Sequence, residues 1–227
     1  MKRQHRTDSD HTGRLSMNDI ISINAHSSIR IELDRVLYFD PFHITAEPHD
    51  ADVIFITHEH YDHFSPEDIL KIVKPETMFV LPETMKDKAS AAGIPDSSML
   101  TVRPSESYEL NGLSFETVPA YNIGKRYHPK ENRWVGYVVN VGLKRVYVCG
   151  DTDDLPENRK VSCDILIVPV GGTYTMDATE AAAFANAVKP EIAIPSHYGD
   201  IVGAPFDGLD FSRRLKGGIQ SRLLISS

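Results

Sequence analysis

The chain has 227 residues, two cysteines and ten histidines, a length that fits one large domain or two small ones. With 41% hydrophobic and 25% charged residues it is neither disordered nor collagenous, and two cysteines exclude a disulfide scaffold. The net charge of −8 argues against bulk binding to nucleic acid or to an anionic membrane. No apolar run approaches the roughly 18 residues of a membrane span. Lys2, Arg3 and Arg6 are followed by no apolar stretch of the kind found in a secretory signal. A cytoplasmic location, reduced cysteines and a small-molecule partner are therefore expected.

In chain order, residues 1–16 are polar and aperiodic and are expected to form a flexible lead-in carrying His5 and His11. One domain is expected over residues 17–227, because no linker-like stretch divides it. Ile21, Ile23, Ile29, Ile31 and Leu33 alternate with polar residues, as in half-buried strands. Leu33-Asp34-Arg35 reads as a turn and residues 36–39 as the return strand. Residues 51–57 are nearly all apolar and predict a strand covered on both faces. Ser65-Pro66-Glu67-Asp68 starts a helix by capping, proline placement and charge. Pro75 ends it. A strand over 78–81 and a helix from Glu83 to Ala92, stopped by Gly93, follow.

Asn111-Gly112 between apolar pairs is a two-residue hairpin signal. Strands are expected over 135–141, 144–149, 165–170 and 192–195. Asp177-x-x-Glu180 opens an Ala-rich helix as a capping box. A helix over 206–215 and a strand over 222–225 close a mixed α/β chain.

Residues 57–63, Thr-His-Glu-His-Tyr-Asp-His, carry the densest chemistry. In extended chain His58 and His60 point the same way and can converge on one ion. Asp62 and His63, where the chain bends into the helix, can aim at a second point nearby. The zinc-protease motif H-E-x-x-H does not apply, because Asp62 stands where its second histidine would be.

This H-x-H-x-D-H loop resembles the signature of the metallo-β-lactamase fold superfamily. Gly150-Asp151-Thr152, after a strand, is similar to its second acidic motif, and Ser196-His197-Tyr198-Gly199 to its last motif. His26-Ser27-Ser28, Phe39-Asp40-Pro41 and Gly171-Gly172-Thr173-Tyr174 resemble a compact branch of metal-dependent hydrolases near the L-ascorbate-6-phosphate lactonases. The resemblance covers residues 19–227 and implies an α/β fold, a four-layer αββα sandwich. It implies one or two divalent ions, zinc before manganese or iron, with Asp151 bridging two ions and His197 binding the second. His58, His60, Asp62 and His63 complete the expected ligands.

One position departs from the family. Asn122 stands where a third histidine is expected, so either Asn122 is a harder, weaker ligand or His128 folds back to fill the place. Asp62 would also orient the nucleophile. Asp40 is either a support for a ligand histidine or a turn residue. His26 is either a catalytic, substrate-contacting group or a structural one. Two ions sharing a water would lower its pKa towards neutrality and give a hydroxide nucleophile for a small ester, lactone or phosphoester. A phosphodiesterase or nuclease, and a non-catalytic metal-binding protein, remain as alternatives.

The loop 121–134 holds Lys125, Arg126, Lys130 and Arg133 against Glu131. It is either a solvated face or a mouth that attracts an anionic substrate. His43 and His49 are expected exposed. Cys149 and Cys163 are expected as buried small apolar residues.

Overall fold

The computed structural model describes residues 20–225. The lead-in with His5 and His11 lies outside the described residues. The alternating isoleucines form β1 (Ile21–Ile23) and β2 (Ile29–Glu32), antiparallel to each other, and β2 turns back into β3 (Val36–Phe39). From β3 onward the pairing is parallel, through β4 (Val53–Phe55), β5 (Met78–Pro82) and β6 (Met99–Val102). These six strands form one sheet in sequence order.

The second sheet has seven strands in the order β13-β12-β11-β10-β9-β8-β7. Its antiparallel part is β7 (Ser107–Leu110), β8 (Leu113–Pro119), β9 (Val135–Val141) and β10 (Lys144–Val148). Its parallel part continues through β11 (Ile165–Pro169), β12 (Ile192–Ser196) and β13 (Gln220–Ser221). The β7–β8 turn uses Asn111 at φ 51° and Gly112 at φ 80°, as an Asn-Gly hairpin requires.

The period-two geometry of the strands builds the layers. Val53 and Phe55 of β4 face a core shared with Phe115, Tyr137 and Ile167 of the other sheet. Ile54 and Ile56 face outward, onto α1 (Pro66–Ile72) and α2 (Lys86–Ala91) through Ile69, Ile72 and Ala89. On the other sheet, Ile165 and Ile167 face the central core. Leu166 and Val168 meet Phe184 of α3 (Ala178–Val188) and Phe211 of α4 (Asp207–Arg214). The order is helix, sheet, sheet, helix, the αββα sandwich that the resemblance implied.

Both helix starts take the form read from sequence. Ser65 accepts from the Asp68 amide ahead of α1, and Asp177 and Glu180 form a capping box ahead of α3. Three elements differ. The helix expected over 83–92 is a 3-10 turn at Glu83–Met85 followed by the short α2. The sequence offered no separate strand at β6, which follows directly on a 3-10 turn at Asp96–Ser98. The closing strand is Gln220–Ser221, not 222–225. Leu224 and Ile225 pack against the core, so their alternation reflects packing without a strand partner.

Candidate metal centre

The loops leaving β4, β10 and β12 at their C-terminal ends bring six of the expected residues to one place, and the loop after β8 adds His128. Asp151 lies in the middle of them. Its Oδ2 is 3.1 Å from His197 Nε2, 3.2 Å from His128 Nε2 and 3.9 Å from His58 Nε2, and its Oδ1 is 3.4 Å from His63 Nε2. Donor atoms of His58, His60 and His128 form one close group, and those of Asp62, His63, His197 and His26 another. His58 Nε2 and His60 Nδ1 are 2.9 Å apart, as the two-residue spacing predicts for ligands on one face of an extended chain.

Support comes from behind. Asp40 accepts from His63 Nδ1 at 2.7 Å, from the Thr57 amide at 2.7 Å and from Thr57 Oγ1 at 2.6 Å. The Thr57 hydroxyl has one proton and gives it to Asp40. It therefore accepts from His58 Nδ1 at 3.0 Å. Both histidines are thus held with Nδ1 protonated and Nε2 turned towards Asp151. Asp40 supports His63, one of the expected ligands, and is not merely a turn residue. Thr57, whose part the sequence did not signal, carries the same constraint to His58.

Asn122 and His128 have different places. The Asn122 amide nitrogen donates to the carbonyls of Tyr127 at 3.0 Å and Tyr174 at 2.6 Å and lies 3.2 Å from His128 Nδ1. Its backbone amide donates to His128 O at 2.8 Å. His128 joins the histidine group, and Asn122 stands behind it.

His26 differs from the substrate-contacting expectation. Its side chain has no exposed surface, lies 3.2 Å from Asp62 Oδ2, and packs 3.7 Å from the His197 ring centroid. It touches the cluster from the protein side. His43 and His49 are exposed, as expected. Cys149 is buried and Cys163 partly so; burial pushes the Cys149 thiol well above its usual pKa, and neither cysteine joins the ligand groups.

Backbone strain gathers here. His26, Asp40, His128 and His197 take φ of 51°, 46°, 59° and 57°. Each costs on the order of 1 kcal/mol in a non-glycine residue, accepted where a side chain must point into the cluster. Close approach adds to this. A Cβ on Gly171 would lie 2.2 Å from His197 O, and one on Gly136 2.5 Å from Cys149 O. Only glycine lets the two ligand-bearing loops pack so tightly.

The electrostatics are those of a cation site. Burial alone would raise the Asp151 carboxyl, but His197, His63 and His128 pull it well below the usual carboxylate range. Burial lowers His58 well below the usual histidine value, leaving a neutral ring. For His63 burial also acts downward, but Asp151 and Asp40 outweigh it and hold the ring well above that value. His63 Nε2, His128 Nε2, both ring nitrogens of His197 and Asp151 Oδ1 are buried without a hydrogen bond. Buried polar atoms left bare are costly. Imidazoles and carboxylates converging this way fit divalent cations, whose binding displaces ring protons.

Comparison with known proteins agrees with this geometry. A family profile described as a beta-lactamase superfamily domain matches residues 21–197. The chain belongs to the beta-lactamase superfamily. It is 32% identical over 174 residues to a UPF0173 protein of Pyrococcus abyssi, covering 73% of this chain and 74% of that one. It is 29% identical over 199 residues to a UPF0173 metal-dependent hydrolase of Thermoplasma volcanium, covering 80% and 85%. A crystal structure assigned to the metal-dependent hydrolases, from Parabacteroides distasonis, superposes with a TM-score of 0.75 at 30% identity, over 89% of this chain and 91% of that one. Igni18, a metallo hydrolase of Ignicoccus hospitalis, shares the fold with a TM-score of 0.74 at 21% identity, over 89% and 93%. The chain is thus a metal-dependent hydrolase of the metallo-β-lactamase fold.

In this superfamily member the cluster opens into a cavity of about 210 Å³. Five of its lining residues, His60, Asp62, His128, Asp151 and His197, belong to the cluster, and the other four are Tyr61, Tyr127, Tyr174 and Ile201. None of the four loop cations lines it. Lys125 is bonded to Asp153 and to Thr175 O, and Arg133 to Glu83. Lys130 lies over the Tyr121 ring, and with Arg133 it lines a different cavity. Arg126 lies 5.7 Å from the centre of the Tyr127 ring. Among the described residues no helix is long and apolar enough to cross a membrane.

Proposed function

We propose that this chain hydrolyses a small ester, lactone or phosphoester with water activated at a two-ion site. His58, His60 and His128 would hold one ion and Asp62, His63 and His197 the other, with Asp151 shared. The observation that carries the proposal is Asp151, whose oxygens face ring nitrogens from both histidine groups at 3.1–3.9 Å. Bound divalent ions would supply Lewis acidity, lowering the pKa of a water and polarising the substrate oxygen.

The chain's own residues do the rest. Asp40 and Thr57 hold Nδ1 of His63 and His58, so that Nε2 of each ring faces the site. His26 positions Asp62 from behind. Asp62 lines the cavity and is placed to accept a hydrogen bond from the attacking water. The aromatic wall excludes bulk water, which strengthens electrostatic interactions within the site.

The non-catalytic alternative drew on the missing third histidine. His128, beside Asp151, removes that support. The nuclease alternative finds no favouring observation, since the net charge is −8 and no lysine or arginine lines the cavity.

The test is hydrolysis of a panel of carboxylic esters, lactones, phosphomonoesters and phosphodiesters by protein stripped with a chelator and reloaded with Zn, Mn or Fe. Turnover that appears only on reloading, and is lost in Asp62→Ala, supports the proposal. Metal-loaded protein inactive on every member sinks it.

A further inference from the structure

The cavity wall narrows the substrate class, an inference that rests on the hydrolase proposal above. Of its four non-ligand residues three are tyrosines and one is isoleucine. Tyr61 is 67% exposed, Tyr127 43% and Ile201 37%. Large apolar side chains grouped this way at a mouth mark a binding surface more often than chance exposure.

The rim is also held in place. Tyr127 and Tyr174 meet edge to face at 4.9 Å and 83°. The Tyr174 carbonyl accepts from Asn122 and the next carbonyl, Thr175, accepts from Lys125. Tyr61 meets Phe42 edge to face at 6.1 Å. The cation most exposed to an anionic reading of this loop, Lys125, is spent as a strut that anchors the Tyr174 segment. Lys130 and Arg133 face another cavity. The bound ions would attract an anion at the reacting centre, but the lining away from them holds no lysine or arginine, and Arg126 lies against Tyr127 outside that lining, so the part of a substrate that meets the rim finds no charged partner there. The cavity, at about 210 Å³, is smaller than the roughly 300–1,000 Å³ of sites for drug-sized ligands. A short acyl or aryl group fits that size.

We propose that the Tyr61–Tyr127–Tyr174–Ile201 rim selects a carboxylic ester or lactone with an uncharged, apolar acyl or aryl group, and disfavours a charge on that group. In the reaction, water adds across the acyl C–O bond, which breaks to give a carboxylate, a proton and an alcohol.

The experiment uses the full chain loaded with zinc and has two arms. The first compares kcat/KM for p-nitrophenyl acetate, butyrate and hexanoate with the hemisuccinate and with p-nitrophenyl phosphate. The second follows fluorescence of Trp134, the only tryptophan, whose ring centre is 4.8 Å from that of His58. It titrates 2-butanone, 2-hexanone and 2-octanone, then succinate and inorganic phosphate. Both arms should gain up to about fourfold per methylene, with the hemisuccinate the weakest carboxylic ester. Tyr61→Ala and Ile201→Ser, both at exposed positions, should flatten the two series by at least fivefold between shortest and longest members, while succinate and phosphate, which the ions attract, bind wild type and both variants alike. A flat ketone series, or a kcat/KM for the hemisuccinate above that for the butyrate, overturns the proposal. A rising ketone series with no ester turnover supports the rim's selectivity and sinks the hydrolase proposal instead.

Discussion

Asp40 accepts a hydrogen bond from His63 Nδ1 at 2.7 Å through the same oxygen, Oδ2, that accepts from Thr57 Oγ1 at 2.6 Å. One buried carboxylate thereby sets two ring tautomers, one directly and one through a hydroxyl. Outer partners of this kind change metal affinity by about 10–100-fold when lost. Asp40→Asn is expected to weaken metal binding by that order, measured by competition with a chromogenic chelator. Thr57→Val should weaken it less and Thr57→Ser should restore it, because serine keeps the hydroxyl.

Asn122 secures a loop, and His128 faces Asp151. Asn122→Asp replaces a donor by an acceptor facing the carbonyls of Tyr127 and Tyr174. The expected cost is about 1–3 kcal/mol of stability, read as a lower midpoint in urea. His128→Ala should leave that midpoint closer to wild type while reducing bound metal.

Gly171 has no room for a side chain, since its Cβ would lie 2.2 Å from His197 O. Gly171→Ala is expected to push the His197 loop outward. Metal affinity should drop, and stability should fall by more than the roughly 1 kcal/mol of an average substitution. Thermal melting with and without added zinc separates the two effects: the zinc-induced rise in Tm should shrink in the variant.

Acid should loosen the floor of the first sheet through Asp68. Its carboxylate accepts from the amides of His43 and Ile44 at 2.9 Å each and from Ser65 Oγ and Lys71 Nζ at 2.8 Å each. Burial raises its pKa, but Lys71, Ser65 and the two amides outweigh this and hold it below the usual value. A depressed folded pKa gives stability that is complete above the unfolded value of about 3.9. That stability is lost as pH falls through the folded value. Asp68→Asn should therefore be clearly less stable than wild type at pH 7, and the gap should shrink below pH 4, as measured by urea unfolding at both pH values.

Much of the architecture was legible because strands and capped helices have local signatures. The Asn111-Gly112 hairpin, the Ser65 cap and the Asp177 capping box appear where local rules put them. Residues 57–63 were legible for the same reason, since spacing in an extended chain fixes which side chains converge. His128 was legible only as one of two alternatives, because the loop between Asn122 and His128 follows no repeating geometry. The loop cations looked like a charged mouth because their partners, Asp153 and Glu83, lie far along the chain. His26 fell near the site as expected, but its full burial depends on packing against His197 and Phe42 that no local pattern encodes.

The central claim is a two-ion site shared by Asp151 and completed by His128. Elemental analysis of zinc-reconstituted protein after gel filtration tests it most directly. The account predicts two equivalents in wild type, about one in His128→Ala, and loss of tight binding in Asp151→Ala, with each variant checked for folding by circular dichroism. Folded variants that keep the wild-type metal content would contradict it.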